Sequence, residues 1–220
     1  MIKMLELQAL SRLIYTEPPE SYLGHKSGKS PVILVPGLYE RWGVFKTMAD
    51  VVSDYGHDVY TIPSLGDNRL SIDRAVKKII KHNEDNHLED VAKVYFGHSK
   101  AGPEIYEVLK KQPEAKAIVF CGSFSGSIIA YLGFLRSIRE LTPKNIAKLN
   151  SGKDSSVYER IVSVFSKFDY LIPNGSLLDG AKNLHSPLYG HLNILEDTEV
   201  ITLAVTQLSR WEDEKKEGNK

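Results

Sequence analysis

Apolar positions along the chain follow two alternating rhythms. From residue 31 onward, short β-branched runs sit at 32–35 (VILV), 58–62 (DVYTI), 93–96 (KVYF), 116–121 (KAIVFC), 160–165 (RIVSVF) and near 182–187. Between them lie longer stretches whose apolar residues recur at helical spacing. Val44, Met48, Val51, Val52 and Tyr55 form one stripe; Ile72, Ala75, Val76, Ile79 and Ile80 form a second; Val200, Ile201, Ala204, Val205 and Leu208 form a third. This alternation predicts an α/β fold, a mostly parallel sheet of about six strands with helices on both faces. No repeat or low-complexity linker interrupts it, so 1–220 reads as a single domain. Residues 1–30 read as an N-terminal arm, a helix plus an extended stretch with loop signals in TEPPE and GHKSGKS. EDEKKEGNK at 212–220 reads as a flexible charged tail.

One segment breaks the rhythm, the 38 residues at 122–159 between the turn after Cys121 and the strand at Arg160. Ile128, Tyr131, Leu132, Leu135 and Ile138 make a helical stripe there, and Ile129 and Phe134 widen it beyond one face. Two readings stand: an ordinary covering helix, or a helical cap-like insertion facing a substrate.

Composition narrows the function classes. With 220 residues the chain can bury a core without staples. Its 28 Lys and Arg cancel 28 Asp and Glu, which removes the electrostatic case for a nucleic-acid or anionic-membrane partner. The single cysteine, Cys121, excludes an internal disulfide and a multi-cysteine metal site, and fits a reducing compartment. The opening MIKMLELQALSRLIYTEPPE has no secretory apolar core, and the longest apolar runs, such as IIAYLGFL, fall far below the roughly 20 residues that span a bilayer. The expectation is a cytoplasmic protein with no transmembrane segment.

Candidate chemistry centres on KVYFGHSKAG, where a β-run ends in Gly97-His98-Ser99-Lys100-Ala101-Gly102 and a helical pattern follows. A serine presented on a strained strand-to-helix turn needs small residues two positions before and after it, and Gly97 and Ala101 are small. A helix N-cap would also suit Ser99. A serine nucleophile needs a histidine base oriented by a carboxylate, here arriving later in the chain in the order serine, acid, histidine. Asp169, three residues past a strand ending at Ser166, and His191, in LYGHLNIL before the last helix, fill those slots. His185 falls in or beside the last strand, and Asp154 and Asp179 lie away from strand ends, so His191 and Asp169 are preferred; a solvated turn is the plainer role for Asp169. Oxyanion donors should come from the backbone N–H of Lys100 and, after the first strand, of Leu38 in VPGLYERW, although Pro36-Gly37 could be an ordinary turn. Gly37, Tyr39, Ile128, Tyr131, Leu132 and Leu135 are the candidate substrate contacts. HNEDNH at 82–87 reads as a solvated helix end, its histidines five apart and off one helical face. No metal and no cofactor is expected, and no dinucleotide or phosphate loop is present.

Taken together these residues resemble the α/β-hydrolase superfamily, and within it small bacterial serine lipases and esterases. The likeness runs from about Pro31 to Leu208 and is most specific in RIVSVFSKFDYLIPNGSLLDGAKNLHSPLYGHLNIL. It implies Ser99 as nucleophile, Asp169 as acid, His191 as base, Leu38 and Lys100 as oxyanion donors, and a small-molecule ester as substrate; the apolar stripe at 128–138 adds the expectation that an acyl chain lies beneath it. Pro36 stands where a histidine usually precedes the oxyanion glycine, Ala101 replaces a glycine, and Lys100 replaces an uncharged residue, which would place a charge at the mouth of the site. Thioester or amide cleavage uses the same triad, lyase chemistry follows with modified pockets, and a non-catalytic binding protein on this fold is the remaining alternative.

Overall fold

The chain is described by a computed structural model over residues 12–14, 17–152 and 154–218. Six strands, β1 (Val32–Val35), β2 (Val59–Thr61), β3 (Val94–His98), β4 (Lys116–Phe120), β5 (Ile161–Phe168) and β6 (Lys182–Tyr189), form one sheet in the order β2-β1-β3-β4-β5-β6. Every pairing is parallel. All six expected strands are present; β3 runs two residues further than the sequence pattern suggests, and β5 extends to Phe168. Asp169 therefore follows its strand directly instead of three residues later.

Parallel strands covered on both sides bury both faces, and the alternation of their side chains divides the core in two. Val32, Leu34, Val94, Phe96, Ile118, Phe120, Val162 and Val164 point into one layer, shared with helix α1 (Lys46–Asp54) and the last helix. Ile33, Val35, Tyr95, Ala117, Val119 and Ile161 point into the other, against α2 (Ile72–Asp85) and α3 (Ala101–Leu109). The first stripe begins as a 3-10 turn, Trp42–Phe45, before becoming α1.

Between β4 and β5 lie the short helices α4 (Arg136–Arg139), α5 (Pro143–Leu149) and α6 (Ser155–Tyr158), preceded by a 3-10 turn at Ile128–Leu132. The stripe expected at 128–138 is thus not one helix. Its residues are mostly exposed, up to 95% for Phe134, and only Ala130 of the 3-10 turn is buried. The chain extends at Gly133 and folds back so that Ile138 fills the space a side chain there would occupy. That rules out a covering helix built on this stripe.

The last helix, α7, runs from Thr198 to Gly218, so the described part of the expected tail, 212–218, is helical; Glu212 is buried and its carboxylate accepts the N–H of Ser30 at 2.9 Å. Much of the N-terminal helix expected in 1–30 lies outside the described residues. Of that arm, Glu20–Tyr22 forms a 3-10 turn, and Tyr22 packs edge-on to Trp42 and donates to Asp50 at 2.6 Å. Among the described residues no helix is long and apolar enough to cross a membrane.

Candidate active site

The strand order reverses between β1 and β3: the chain leaves β1 outward to β2 and returns across it to β3. In open parallel sheets, ligands settle at the carboxyl ends of the strands beside such a switch. Gly37 follows β1 and Ser99 follows β3, so both candidate segments stand at this point.

Ser99 holds φ at +56°, a left-handed conformation that costs a non-glycine residue on the order of 1–3 kcal/mol. The turn is held by hydrogen bonds from Ser99 N–H to Phe120 O (3.0 Å) and from Gly102 and Ser123 N–H to Ser99 O (3.1 and 3.0 Å). Strand and helix approach so closely that a methyl group on Gly97 would lie 2.3 Å from Ile105 Cδ1 and 3.1 Å from Ala101 Cβ. This is the physical reason for the small residues flanking Ser99, and it disposes of a simple N-cap: the helix is capped by Lys100, with no side-chain cap bond.

Asp169 and His191 meet at 2.6 Å, Nδ1 donating to Oδ2. The other carboxylate oxygen accepts the N–H groups of Leu171 (2.8 Å) and Ile172 (3.0 Å). Burial would raise the Asp169 pKa, but His191 and the two amides outweigh it and hold it below the usual carboxylate value. Burial and the neighbouring His98 would lower the His191 pKa, but Asp169 raises it above the ordinary histidine value. With Nδ1 donating to Asp169, neutral His191 carries its lone pair on Nε2. His185 instead lies exposed along β6, edge-on to Phe165, Asp154 caps α6, and Asp179 is exposed.

Gly37 is buried against Ser99, and its Cα leaves no room for a side chain: an added Cβ would meet Ser99 Cβ at 2.9 Å. Among the described residues the N–H groups of Leu38 and Lys100 donate to no acceptor. The Lys100 side chain, expected at the mouth, is fully buried behind the turn. Its Nζ donates to Asn68 O and Oδ1, each at 3.0 Å, and pairs with Glu104 at 2.6 Å. A buried ammonium needs a counterion and acceptors, and only the interior side of the turn supplies them.

Several participants had no role in the sequence reading. His98 packs its ring on His191, centroids 4.5 Å apart, and pairs with buried Glu40 at 2.8 Å. Cys121, with φ +47°, sits at the end of β4; its Sγ and ring nitrogens of His98 and His191 lie within 4.8 Å of one another. Burial would raise the Cys121 pKa, but contact with the two histidines lowers it. This trio is a poor metal centre because both nitrogens of His98 and the Nδ1 of His191 are already engaged with acceptors. The position of His98 within the GHSKAG motif was visible in the sequence, whereas Glu40 and Asn68 come from other loops and carried no signal. HNEDNH is the C-terminal turn of α2, where Asn86 caps the helix and bonds back to His82; it is solvated at Glu84, Asp85, Asn86 and His87, but Asn83 is buried and donates to the Tyr95 hydroxyl.

An apolar rim borders the acid loop. Ser127 Oγ donates to Leu171 O at 2.6 Å and Ile128 N–H to Asn174 at 3.1 Å, which sets exposed Ile128, Tyr131 and Leu132 beside exposed Tyr170 and Leu171. Tyr39 is also exposed, at φ +62°, with the Arg69 guanidinium 5.9 Å above its ring. Leu135 instead lines a concavity with Arg69, Leu70 and Arg74.

No family model matches the chain, and no curated protein matches it in sequence. Solved structures do resemble it. A Bacillus licheniformis lipase in its mature form superposes with a TM-score of 0.65 at 14% identity, over 88% of this chain and 96% of that one. Lipase B of Aspergillus fumigatus gives 0.69 at 19% identity, over 87% of this chain and 55% of that longer one. A monoacylglycerol lipase of Paleococcus ferrophilus gives 0.57 at 17% identity, over 82% and 95%.

Proposed function

On the α/β-hydrolase fold that this chain carries, we propose a serine hydrolase that cleaves carboxylic esters through an acyl-enzyme. The observation that carries the reading is the Asp169–His191 bond at 2.6 Å, formed at the same end of the sheet as a serine held at φ +56°. Ser99 Oγ attacks the ester carbonyl while His191 Nε2 takes its proton. Asp169 fixes the tautomer and stabilises the imidazolium. The N–H groups of Leu38 and Lys100 receive the developing oxyanion, and His191 returns the proton to the departing alcohol. Water, deprotonated by the same histidine, then attacks the acyl-enzyme and releases the acid and free Ser99.

The exposed side chains of Ile128, Tyr131 and Leu132 support an apolar acyl group, with exposed Tyr39 at the entrance, buried Gly37 against Ser99 and Leu135 further along the insertion. The closest test uses a fluorophosphonate probe on wild type, Ser99→Ala and Cys121→Ala. Labelling lost only in Ser99→Ala supports the reading. Labelling of both variants, or of neither wild type nor variants, overturns Ser99 as an activated nucleophile, and loss only in Cys121→Ala transfers that role to the thiol. A panel of p-nitrophenyl esters of rising chain length, with thioester and anilide analogues, sets the substrate class; ester turnover that is flat with chain length removes the acyl role of the insertion.

A further inference from the structure

The Pro36–Gly37 peptide is gripped on both edges. Its carbonyl oxygen accepts Asn68 Nδ2 at 2.8 Å, and its N–H donates to Glu40 Oε2 at 2.7 Å. Pro36, Gly37, Glu40 and Asn68 are all buried. A peptide plane held at both its carbonyl and its amide cannot rotate; the Leu38 N–H lies in the next plane, across the φ and ψ of Gly37, and that plane is held in turn by its own carbonyl, Gly37 O, which accepts the N–H of Glu40 at 3.3 Å.

Each gripping side chain is tied in turn to a residue flanking Ser99. Glu40 accepts from His98 Nδ1 with both oxygens, at 2.8 and 2.9 Å, while His98 Nε2 donates to the carbonyl of His191 at 3.0 Å. A carbonyl oxygen only accepts and an ionised carboxylate only accepts, so both ring nitrogens carry protons and His98 is an imidazolium. Burial alone would lower its pKa, but Glu40 outweighs burial and lifts it to about 10. The groups facing this ring are Glu40, Cys121 and His191, with Asp169 behind His191. On the other edge, Asn68 donates to Glu104 at 2.9 Å and accepts from Lys100 Nζ. Asn68 itself holds φ at +50°.

We propose that Glu40 and Asn68, backed by His98 and Lys100, are positioning residues that clamp the Pro36–Gly37 peptide and so preset the oxyanion loop against the Ser99 turn and the His191 loop. The inference rests on the hydrolase reading for its catalytic consequence. It accounts for a loop that lacks the histidine usual before the oxyanion glycine: two buried side chains, Glu40 of the same loop and Asn68 of the loop after β2, hold the peptide instead.

The test compares Glu40→Ala, Glu40→Gln and Asn68→Gly in the full chain. Misplacing a transition-state contact by about an ångström costs on the order of a hundredfold in rate, so Glu40→Ala should lose about that much kcat with KM changed less than about threefold. Glu40→Gln should retain most of the rate, because its amide oxygen still accepts the Gly37 N–H and its NH2 can donate to a neutral His98 Nδ1. Asn68→Gly keeps the backbone conformation while releasing the other edge, and should lower kcat as Glu40→Ala does; it decides the matter if Glu40→Ala does not fold. Two readouts need no activity. Gly37 amide exchange should be slow in wild type and Glu40→Gln and faster in Glu40→Ala. Ring nitrogen shifts at pH 8 should show His98 doubly protonated in wild type and singly protonated in Glu40→Gln. Unchanged kcat or unchanged Gly37 exchange in Glu40→Ala, or a singly protonated His98 in wild type, overturns the proposal. If wild type neither turns over esters nor reacts at Ser99, the hydrolase reading alone fails, and the exchange and ring data still decide whether the clamp exists.

Discussion

Replacing Asp169 by asparagine should leave the fold almost untouched and remove most of the catalysis. One oxygen of Asp169 accepts two amides, from Leu171 and Ile172, and the other accepts His191 Nδ1–H at 2.6 Å. In Asp169→Asn the amide oxygen must stay on the two N–H groups. Turning the NH2 toward them would leave two buried donors unmade, at about 1–3 kcal/mol each. The NH2 therefore faces His191, whose Nδ1 becomes the acceptor and whose remaining proton moves to Nε2. A protonated Nε2 cannot take the proton of Ser99. The corresponding wrong-tautomer effect in a serine-histidine-aspartate protease costs about 10⁴-fold in kcat, equivalent to about 5.4 kcal/mol of barrier. The assay is kcat on a short-chain p-nitrophenyl ester at pH 8, with a thermal melt of the same preparation. A kcat within tenfold of wild type in a normally folded variant would refute Asp169 as the group that orients the base.

Gly37→Ala should destabilise the protein and lower the proposed ester turnover: its Cβ would lie 2.8 Å from Glu40 Oε2 and 2.9 Å from Ser99 Cβ, and overpacking of this kind costs about 1–3 kcal/mol in urea unfolding. Lys100→Met strands buried Glu104 and should cost about 3–5 kcal/mol, whereas adding Glu104→Leu should recover most of that loss; equal losses in the single and double variants would deny that the pair is mutually dependent. His98 has a raised pKa in the fold, so the stability from its charge is complete below its ordinary value of 6.5 and is lost as pH climbs through about 10, while that from Glu40, whose pKa is lowered, disappears in acid below 4.5. Melting temperature should therefore decline from pH 7 to pH 10 more steeply in wild type than in Glu40→Gln, and parallel curves would contradict the ion pair. On the proposed mechanism His191 must be neutral to act, and its pKa is raised, so the acid limb of kcat/KM should have its midpoint above 6.5; a midpoint below that value speaks against His191 as the base.

Much of this architecture was legible from periodicity. Val32-Ile33-Leu34-Val35 alternates sides of a sheet covered on both faces, and the stripes at 44–52, 72–80 and 200–208 each bury one face, so local pattern and tertiary packing ask for the same structure; Tyr55, counted in the first stripe, instead lies past the end of α1 and is exposed. The motif around Ser99 was readable for a related reason: a strained turn between packed elements excludes side chains at fixed offsets, and that leaves a mark in the sequence. The stripe at 128–138 misled because apolar spacing reports which residues could share a face, not whether anything covers it; Gly133 and Ile138 fold the segment back on itself and leave Phe134 in the open. The tail at 212–218 misled in the opposite direction, since a charged run can continue a helix whose first turns are buried, with Glu212 turned in to Ser30.

The sequence by itself determined the alternation of strands and helices and the place of the serine turn, because these follow from spacing within one segment. Only the tertiary structure decided what the charged residues beside that turn do. Lys100, expected at the mouth, turned inward to Glu104 and Asn68, and His98 became the partner of Glu40. A buried charge is tolerable only where a counterion and acceptors converge on it: Glu104 lies only four residues beyond Lys100, but the acceptors on Asn68 and the His98 partner Glu40 lie 32 and 58 positions away along the chain. No local pattern carries that information; it exists only once the loops after β1, β2 and β3 meet at one end of the sheet.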